Sequence, residues 1–136
     1  MTDHFVLFLD PSHKSAYQLD LNQPNPRIQG ALLESSTQPQ FISYMGGEAE
    51  SLFWYDAGFS VIKRAVEISK EEIPLAEVEV DTALTGMAAD TFSQKLYFSD
   101  RSKISMLDWR TGDVAVYHET ETHILMRSLN VYNKHE

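Results

Sequence analysis

With 136 residues the chain has the length of one domain, and its 43% of hydrophobic residues are enough to fill a core. The net charge of −9 argues against nucleic acid and anionic membrane surfaces, because both are bound through clustered lysine and arginine. The absence of cysteine excludes disulfides, thiolate zinc sites and thiol nucleophiles, and no apolar stretch approaches the roughly 20 residues of a membrane span.

The first part of the chain predicts three short strands. Runs of apolar and β-branched residues end in clusters of turn-forming residues, which is the pattern of strands in an antiparallel sheet. The link from Asn22 to Pro26 is rich in proline and predicts a rigid turn. The predicted strands are Phe5–Leu9, Ala16–Leu21 and Ile28–Leu33.

The middle part predicts four strands. The stretch from Phe59 to Glu72 can be read as an amphipathic helix, but its β-branched residues favour a strand. The charged run Lys70-Glu71-Glu72 is most simply a solvated turn. The predicted strands are Phe41–Tyr44, Leu52–Tyr55, Val61–Val66 and Ala76–Val80.

The last part predicts four more strands and one additional strand near the end. The four are Met87–Asp90, Leu96–Ser99, Ile104–Asp108 and Val114–Tyr117. The first part of the chain lacks room for a first strand, whereas residues 127–133 supply a spare one. We therefore expect a closing strand at about 125–134 that completes the first blade of a ring, either within one ring or against another copy.

A short motif recurs three times and sets the predicted architecture. It reads Val6–Asp10, then Leu52–Asp56, then Leu96–Asp100, so its closing aspartates are 46 and 44 residues apart. In an all-β chain a period in the forties is typical of propeller blades. We predict one partial β-propeller domain over residues 1–136, with three blades of four antiparallel strands at about 1–40, 41–83 and 84–120.

The third repeat resembles the YWTD repeat, also called the LDL-receptor class B repeat. The similarity lies in Gly86-Met87-Ala88-Ala89-Asp90 followed by Leu96-Tyr97-Phe98-Ser99-Asp100. The second repeat is similar through Leu52–Asp56 and Val61–Ala65, and Leu129–Asn133 is similar to the last strand of such propellers. The resemblance covers about residues 5–133.

The resemblance implies half of a six-bladed propeller and a function without catalysis. Such propellers lie in the ectodomains of endocytic and signalling receptors and in basement-membrane proteins, where they bind proteins or neighbouring modules. We therefore expect the extracellular part of a membrane or secreted protein, with a cytoplasmic location as the alternative. The expected partners are a protein ligand, a neighbouring receptor module or a second copy that completes a six-bladed ring.

The motif residues invite a catalytic or metal-binding interpretation, but their repetition favours a structural role. A catalytic acid is needed once in a protein, whereas a residue that stabilises a blade is needed in every repeat. We expect the aspartates to cap turns and tie neighbouring blades, and the aromatic residues to pack on both faces of each blade. No catalytic residue, metal ligand or cofactor is predicted. The structural motif residues are Asp10, Phe53, Trp54, Tyr55, Asp56, Tyr97, Phe98, Ser99 and Asp100.

Two histidines suggest a sensor of acid pH. His118 and His123 lie near Glu119, Glu121 and Asp113 in the sequence, and these acidic neighbours favour the charged imidazolium. The simpler interpretation is that both are surface residues.

Two other functional classes stay open at this stage. The first is an intracellular scaffold of the WD40 type, because Asp108-Trp109-Arg110-Thr111-Gly112 is similar to the end of such a repeat. The second is a six-bladed, calcium-dependent hydrolase, in which acidic residues from several blades converge on a central ion.

Overall fold

The computed structural model describes residues 5–22, 24, 28–33, 36–66, 71–79, 83–119 and 132. These residues form eleven β-strands and one short 3₁₀-helix, and none of them lies in an α-helix. The predicted all-β fold is therefore confirmed. In this part of the chain, no helix has both the length and the apolar character needed to cross a membrane.

The strands form three antiparallel sheets, in which strands that follow each other along the chain are paired. Sheet 1 contains β1 (Phe5–Asp10), β2 (Ser15–Asp20) and β3 (Ile28–Leu32), with a 3₁₀-helix at Pro11–His13 between the first two. Sheet 2 contains β4 (Pro39–Met45), β5 (Ser51–Asp56), β6 (Val61–Ala65) and β7 (Ile73–Glu77). Sheet 3 contains β8 (Gly86–Asp90), β9 (Lys95–Ser99), β10 (Lys103–Leu107) and β11 (Val114–Glu119).

The fourth strand of sheet 2 begins three residues earlier than predicted. We expected Ala76–Val80, but β7 pairs Ile73 with Arg64 and Glu77 with Val61. Because β7 is an edge strand, Pro74 is tolerated there although it lacks an N–H group. Val78 lies after the strand, where its side chain is buried in the core.

Sheet 1 has three strands among the described residues. The predicted closing strand at 125–134 lies outside the described residues, apart from Tyr132. The predicted blade limits at 1–40, 41–83 and 84–120 stay predictions.

Sheet 2 lies between the other two sheets, and its strand β5 is therefore buried along its whole length. Successive side chains of a strand point to opposite faces. Leu52 and Trp54 face sheet 1, whereas Phe53 and Tyr55 face sheet 3. The core between sheets 1 and 2 contains Leu7, Leu9, Ala16, Leu33, Ile42, Tyr44, Leu52, Trp54 and Ala65. The core between sheets 2 and 3 includes Met45, Phe53, Tyr55, Ile62, Met87, Leu96, Phe98 and Leu107.

Candidate functional site

The three motif aspartates head tight turns at the ends of their strands. In each turn a carboxylate oxygen accepts a hydrogen bond from the backbone N–H two residues further on, at 2.9–3.1 Å. A short acidic side chain at the start of a turn favours this geometry. The donors are Ser12 for Asp10, Gly58 for Asp56 and Ser102 for Asp100.

Asp56 also holds the segment that leads into sheet 2. Its carboxylate is fully buried and accepts hydrogen bonds from the backbone N–H groups of Thr37 at 3.2 Å and Gln38 at 3.0 Å. The ammonium of Lys63 lies 3.3 Å from the same carboxylate, with only 8% of the Lys63 side chain exposed. The aspartate therefore connects the turn after β5, the entry to β4 and the middle of β6.

Ser36 extends this buried polar network. Its hydroxyl accepts hydrogen bonds from Trp54 Nε1 at 2.9 Å and from Lys63 Nζ at 3.2 Å, and it donates to Glu72 Oε1 at 2.8 Å. The Ser36 hydroxyl thus donates one hydrogen bond and accepts two, which is its full capacity, and we assign it a structural role. Of the run predicted to be a solvated turn, Lys70 lies outside the described residues and Glu71 is exposed, whereas Glu72 is half-buried and contacts Ser36.

The pKa of Asp56 reflects two opposing effects. Burial by itself would raise the pKa of the carboxyl. The hydrogen bonds from Gln38, Thr37 and Gly58 outweigh burial, so the pKa lies below the ordinary value of 3.8. Lys63 lowers the pKa further.

We predict that Asp56 makes the fold sensitive to acid. A carboxyl with a lowered folded-state pKa contributes stability above its unfolded pKa and loses it as the pH falls through the folded value. Stability should therefore hold from neutral pH to about 5 and fall below about 4. In Asp56→Asn this fall should be shallower, as measured by urea unfolding at a series of pH values. The exposed Asp113→Asn serves as a control with the wild-type slope, and an unchanged slope in Asp56→Asn would contradict the prediction.

Ser99 and Asp100 close the corresponding end of sheet 3. The Ser99 hydroxyl lies 3.0 Å from the hydroxyl of Thr85, and the backbone N–H of Thr85 donates to the Ser99 carbonyl at 2.7 Å. The buried Asp100 carboxylate accepts from the backbone N–H of Lys103 at 2.9 Å, and the Lys103 ammonium lies 3.6 Å away. These contacts fix the entry to β8 and the turn between β9 and β10.

The motif aromatic residues divide between the two faces of their sheets. Trp54 is fully buried against sheet 1, and Phe53 and Tyr55 are buried against sheet 3. In sheet 3, Phe98 faces sheet 2, whereas Tyr97 is half-buried on the opposite face. Four of the five therefore pack between sheets, and Tyr97 lies on a face that none of the three sheets covers.

Sheets 2 and 3 are joined by hydrogen bonds between two turns. Gln94 Oε1 accepts from the Ala49 N–H at 2.8 Å, and Gln94 Nε2 donates to the Gly46 carbonyl at 2.9 Å. The Thr91 hydroxyl accepts from the Gly46 N–H at 3.1 Å. These side chains connect the turn between β8 and β9 to the turn between β4 and β5.

A stack of cationic and aromatic groups joins the same two sheets nearby. The guanidinium groups of Arg64 and Arg110 both lie over the Trp109 ring, with their Cζ atoms 4.6 Å and 4.8 Å from the ring centroid. Arg110 forms an ion pair with Glu48 at 2.5 Å, and Arg64 donates to the Ser51 hydroxyl at 2.7 Å. The segment that is similar to WD40 repeats thus contributes a packing contact between sheets 2 and 3.

The predicted pair of pH-sensing histidines is only partly described. His118 is exposed on β11, and His123 lies outside the described residues. Asp113 precedes the other end of β11, about 16 Å from His118 for an extended strand of this length, so it is not a close neighbour. The role of these histidines stays a prediction.

A different histidine forms a pair that the sequence did not suggest. His13 Nδ1 lies 2.6 Å from Asp10 Oδ2 at the exposed end of β1. This hydrogen bond lowers the pKa of the Asp10 carboxyl. The motif aspartate of sheet 1 is thus paired locally, at the surface.

The outer face of sheet 1 is apolar and points away from sheet 2. Since Leu7 and Leu9 pack on sheet 2, the alternate residues of β1 face the other way. Cross-strand pairing places Tyr17 beside Phe8, and their rings stack with centroids 5.1 Å apart. The face consists of Val6, Phe8, Tyr17, Leu19 and Ile28, of which Val6 is 43%, Phe8 39% and Ile28 62% exposed.

The outer face of sheet 3 is also apolar and points away from sheet 2. Tyr97 pairs with Ala88 on one side and Met106 on the other. Its ring meets that of Tyr117 edge to face, with centroids 5.9 Å apart, and Tyr117 is 71% exposed. The face includes the apolar residues Ala88, Tyr97, Ile104, Met106 and Tyr117, and Ile104 pairs with His118 on β11 and with Ser99 on β9.

Several residues of the polar network were not predicted as site residues. Lys63 gave a usable signal, because it lies at the centre of a strand with apolar residues at both ends, and a charged side chain that is buried there needs a partner. Ser36 and Gln94 lie in linkers and turns, where polar residues are common and give no such signal. Within the described ranges, no group of three or more His, Cys, Asp or Glu side chains could hold a metal ion.

Sheets that are stacked face to face, each a meander of neighbouring strands, define the chain as part of a β-propeller. No model of a known protein family matches the chain, and neither does any curated protein. Solved structures do match. A nidogen/laminin complex is 18% identical with a TM-score of 0.58, and the match covers 88% of this chain and 50% of that chain.

Two further solved structures are similar in fold. A virginiamycin B lyase from Staphylococcus aureus is 14% identical with a TM-score of 0.63, covering 85% of this chain and 38% of that chain. A protein assigned as a gluconolactonase is 13% identical with a TM-score of 0.53, covering 90% of this chain and 49% of that chain. The chain thus spans half or less of the length of these structures, and at such identities the likeness concerns the fold alone.

Proposed function

We propose that this chain is a non-catalytic protein–protein interaction module, built from three blades of a propeller of the YWTD kind. The proposal combines the motif resemblance with the β-propeller fold. The specific link to YWTD repeats depends on the residues of the second and third repeats.

The observation that carries the proposal is a pair of apolar faces, one at each end of the stack, that none of the three described sheets covers. The outer face of sheet 1 and the outer face of sheet 3 each present a pair of aromatic rings in contact. Apolar patches of this kind are typical of protein interfaces, and aromatic residues are enriched at the centres of interfaces.

The state of the motif carboxylates supports a function without catalysis. Asp56 and Asp100 are buried and accept hydrogen bonds from backbone and side-chain donors. A catalytic acid or base must reach the proton of a substrate. Carboxylates that are already engaged in closing turns are poorly placed for that task.

Partners and location follow from the resemblance. We expect a protein ligand or a neighbouring module as the partner, in the extracellular part of a membrane or secreted protein. The matched nidogen/laminin structure is a complex of two proteins, which supports a protein as the partner.

The second candidate is a metal-dependent hydrolase or lyase. It is favoured by the names of the two other matched structures, a lyase and a gluconolactonase. A propeller enzyme of this kind would hold an ion such as calcium through oxygen ligands from several blades.

A calcium titration separates the two candidates. We expect the melting temperature to be the same with and without millimolar calcium, with sodium chloride added to match the ionic strength. A specific site at 100 times its Kd would add about 2.7 kcal/mol and raise the melting temperature by roughly 10 °C. A saturable rise with calcium would therefore contradict the proposed function.

A further inference from the structure

We propose that two copies of this chain close a single ring, with the outer face of sheet 3 of each copy packed on the outer face of sheet 1 of the other. This inference rests on the proposed function and names the partner as a second copy.

The outer face of sheet 1 forms a flat aromatic platform. The rings of Phe8 and Tyr17 are nearly parallel, with an angle of 18° between their planes. Beside them Gly30 leaves room for the Tyr17 ring, since a Cβ atom at this position would lie 2.7 Å from it. Val6 and Ile28 flank the platform and are 43% and 62% exposed. A platform of this form can receive side chains from another sheet.

The outer face of sheet 3 offers side chains that project. Tyr117 stands edge to face on Tyr97, with 80° between the ring planes. Ile104 and Met106 lie beside them and are half-buried. Aromatic rings prefer offset-stacked or edge-to-face contacts, and projecting tyrosines can form such contacts with a flat aromatic platform.

The stack has a direction, which determines which faces belong together. Sheet 1 meets sheet 2 through its Leu7 face, and sheet 2 meets sheet 3 through its Phe53 face. The outer face of sheet 3 is the face on which a following fourth sheet would pack. Within the chain, the Trp54 face of sheet 2 packs on the sheet that comes before it, sheet 1. The outer face of sheet 1 is the equivalent face of its own sheet, and no sheet that precedes it is present to pack on it among the described residues. Packing sheet 3 on sheet 1 of another copy therefore continues the contacts already present within the chain.

The number of sheets favours two copies. The described residues form three sheets, and propellers close with about four to eight blades, so two copies of these sheets fit this range and three copies do not. Each copy uses both of its faces, and a twofold axis leaves neither face uncovered. Pairing two identical faces instead would leave the other apolar face exposed on each copy.

The test uses sedimentation of the whole chain and of variants in each face. At roughly 50 µM, well above a micromolar Kd, the wild type should have twice the 15.5 kDa mass of one chain. Phe8→Glu disables the outer face of sheet 1 and Tyr117→Glu disables that of sheet 3. Each substitution changes both interfaces of the ring and should weaken association by about 100-fold, because it places an unpaired charge in each interface.

Mixing the two variants shows which faces of the two copies pack on each other. Phe8→Glu keeps its sheet 3 face and Tyr117→Glu keeps its sheet 1 face, so an equimolar mixture should regain a dimer through one intact interface. Ile28→Glu replaces Phe8→Glu if the latter does not fold. The control is Phe92→Glu, which changes a 79% exposed aromatic residue in the turn after β8 and should leave the dimer intact.

A wild-type mass of one chain at this concentration would overturn the two-copy ring, and so would a mixture that stays monomeric. A monomer that also lacks a calcium response would leave the proposed function standing. A dimer with a saturable calcium response would instead contradict the proposed function and retain the ring.

Discussion

Asp56→Ala is expected to lower the free energy of unfolding by about 3–5 kcal/mol, because it removes the carboxylate that lies 3.3 Å from the buried ammonium of Lys63. The carboxylate also accepts from the backbone N–H groups of Thr37, Gln38 and Gly58, which would lose an acceptor. Urea unfolding followed by far-UV circular dichroism at neutral pH measures the change.

Two matched variants test the physical reason for this loss. Asp10→Ala removes the same motif position in sheet 1, where the carboxylate is exposed, and should cost much less. Adding Lys63→Met to Asp56→Ala removes the buried ammonium that faced Asp56 and should recover part of the lost stability. If Asp56→Ala were no more harmful than Asp10→Ala, the buried network would not stabilise the fold as described.

Trp54→Ala should produce a loss of similar size, about 3–5 kcal/mol. The indole is fully buried between sheets 1 and 2, and its Nε1 donates to Ser36. The cavity would lie in the contact between these two sheets. Amide exchange should therefore accelerate most in β1, β2 and β3, which hydrogen exchange measured by mass spectrometry can resolve.

The second tryptophan provides the control for this variant. Trp109 is half-buried and contacts Arg64 and Arg110 at the contact of sheets 2 and 3. Trp109→Ala should cost less than Trp54→Ala and leave exchange in sheet 1 unchanged. Equal acceleration in sheets 1 and 3 after Trp54→Ala would contradict the placement of this residue.

The sequence was sufficient to predict the strands and their faces wherever alternation was strong. In β5, the order Leu52-Phe53-Trp54-Tyr55 predicts one pair of side chains on each face, and the structure has this arrangement. The turn after each motif strand could also be predicted from the sequence, because an aspartate at this position favours a hydrogen bond from the backbone N–H two residues further on.

Features that depend on contacts between distant segments of the chain could not be predicted from the sequence. The limits of β7 depend on its register with β6, including an irregularity between Ile62 and Lys63. The network around Ser36 joins residues that are 18 to 36 positions apart, and periodicity carries no information on such contacts. The same is true of Gln94, which reaches the turn at Gly46.

The central claim is that three sheets stack face to face in chain order, with sheet 2 in the middle. Nuclear Overhauser effects between side chains test it most directly. We expect cross-peaks between the rings of Phe5 and Tyr44, whose centroids are 5.1 Å apart, and between Arg64 and Trp109. Cross-peaks that place the Phe53 ring against Ala16, on the sheet 1 side, would contradict it.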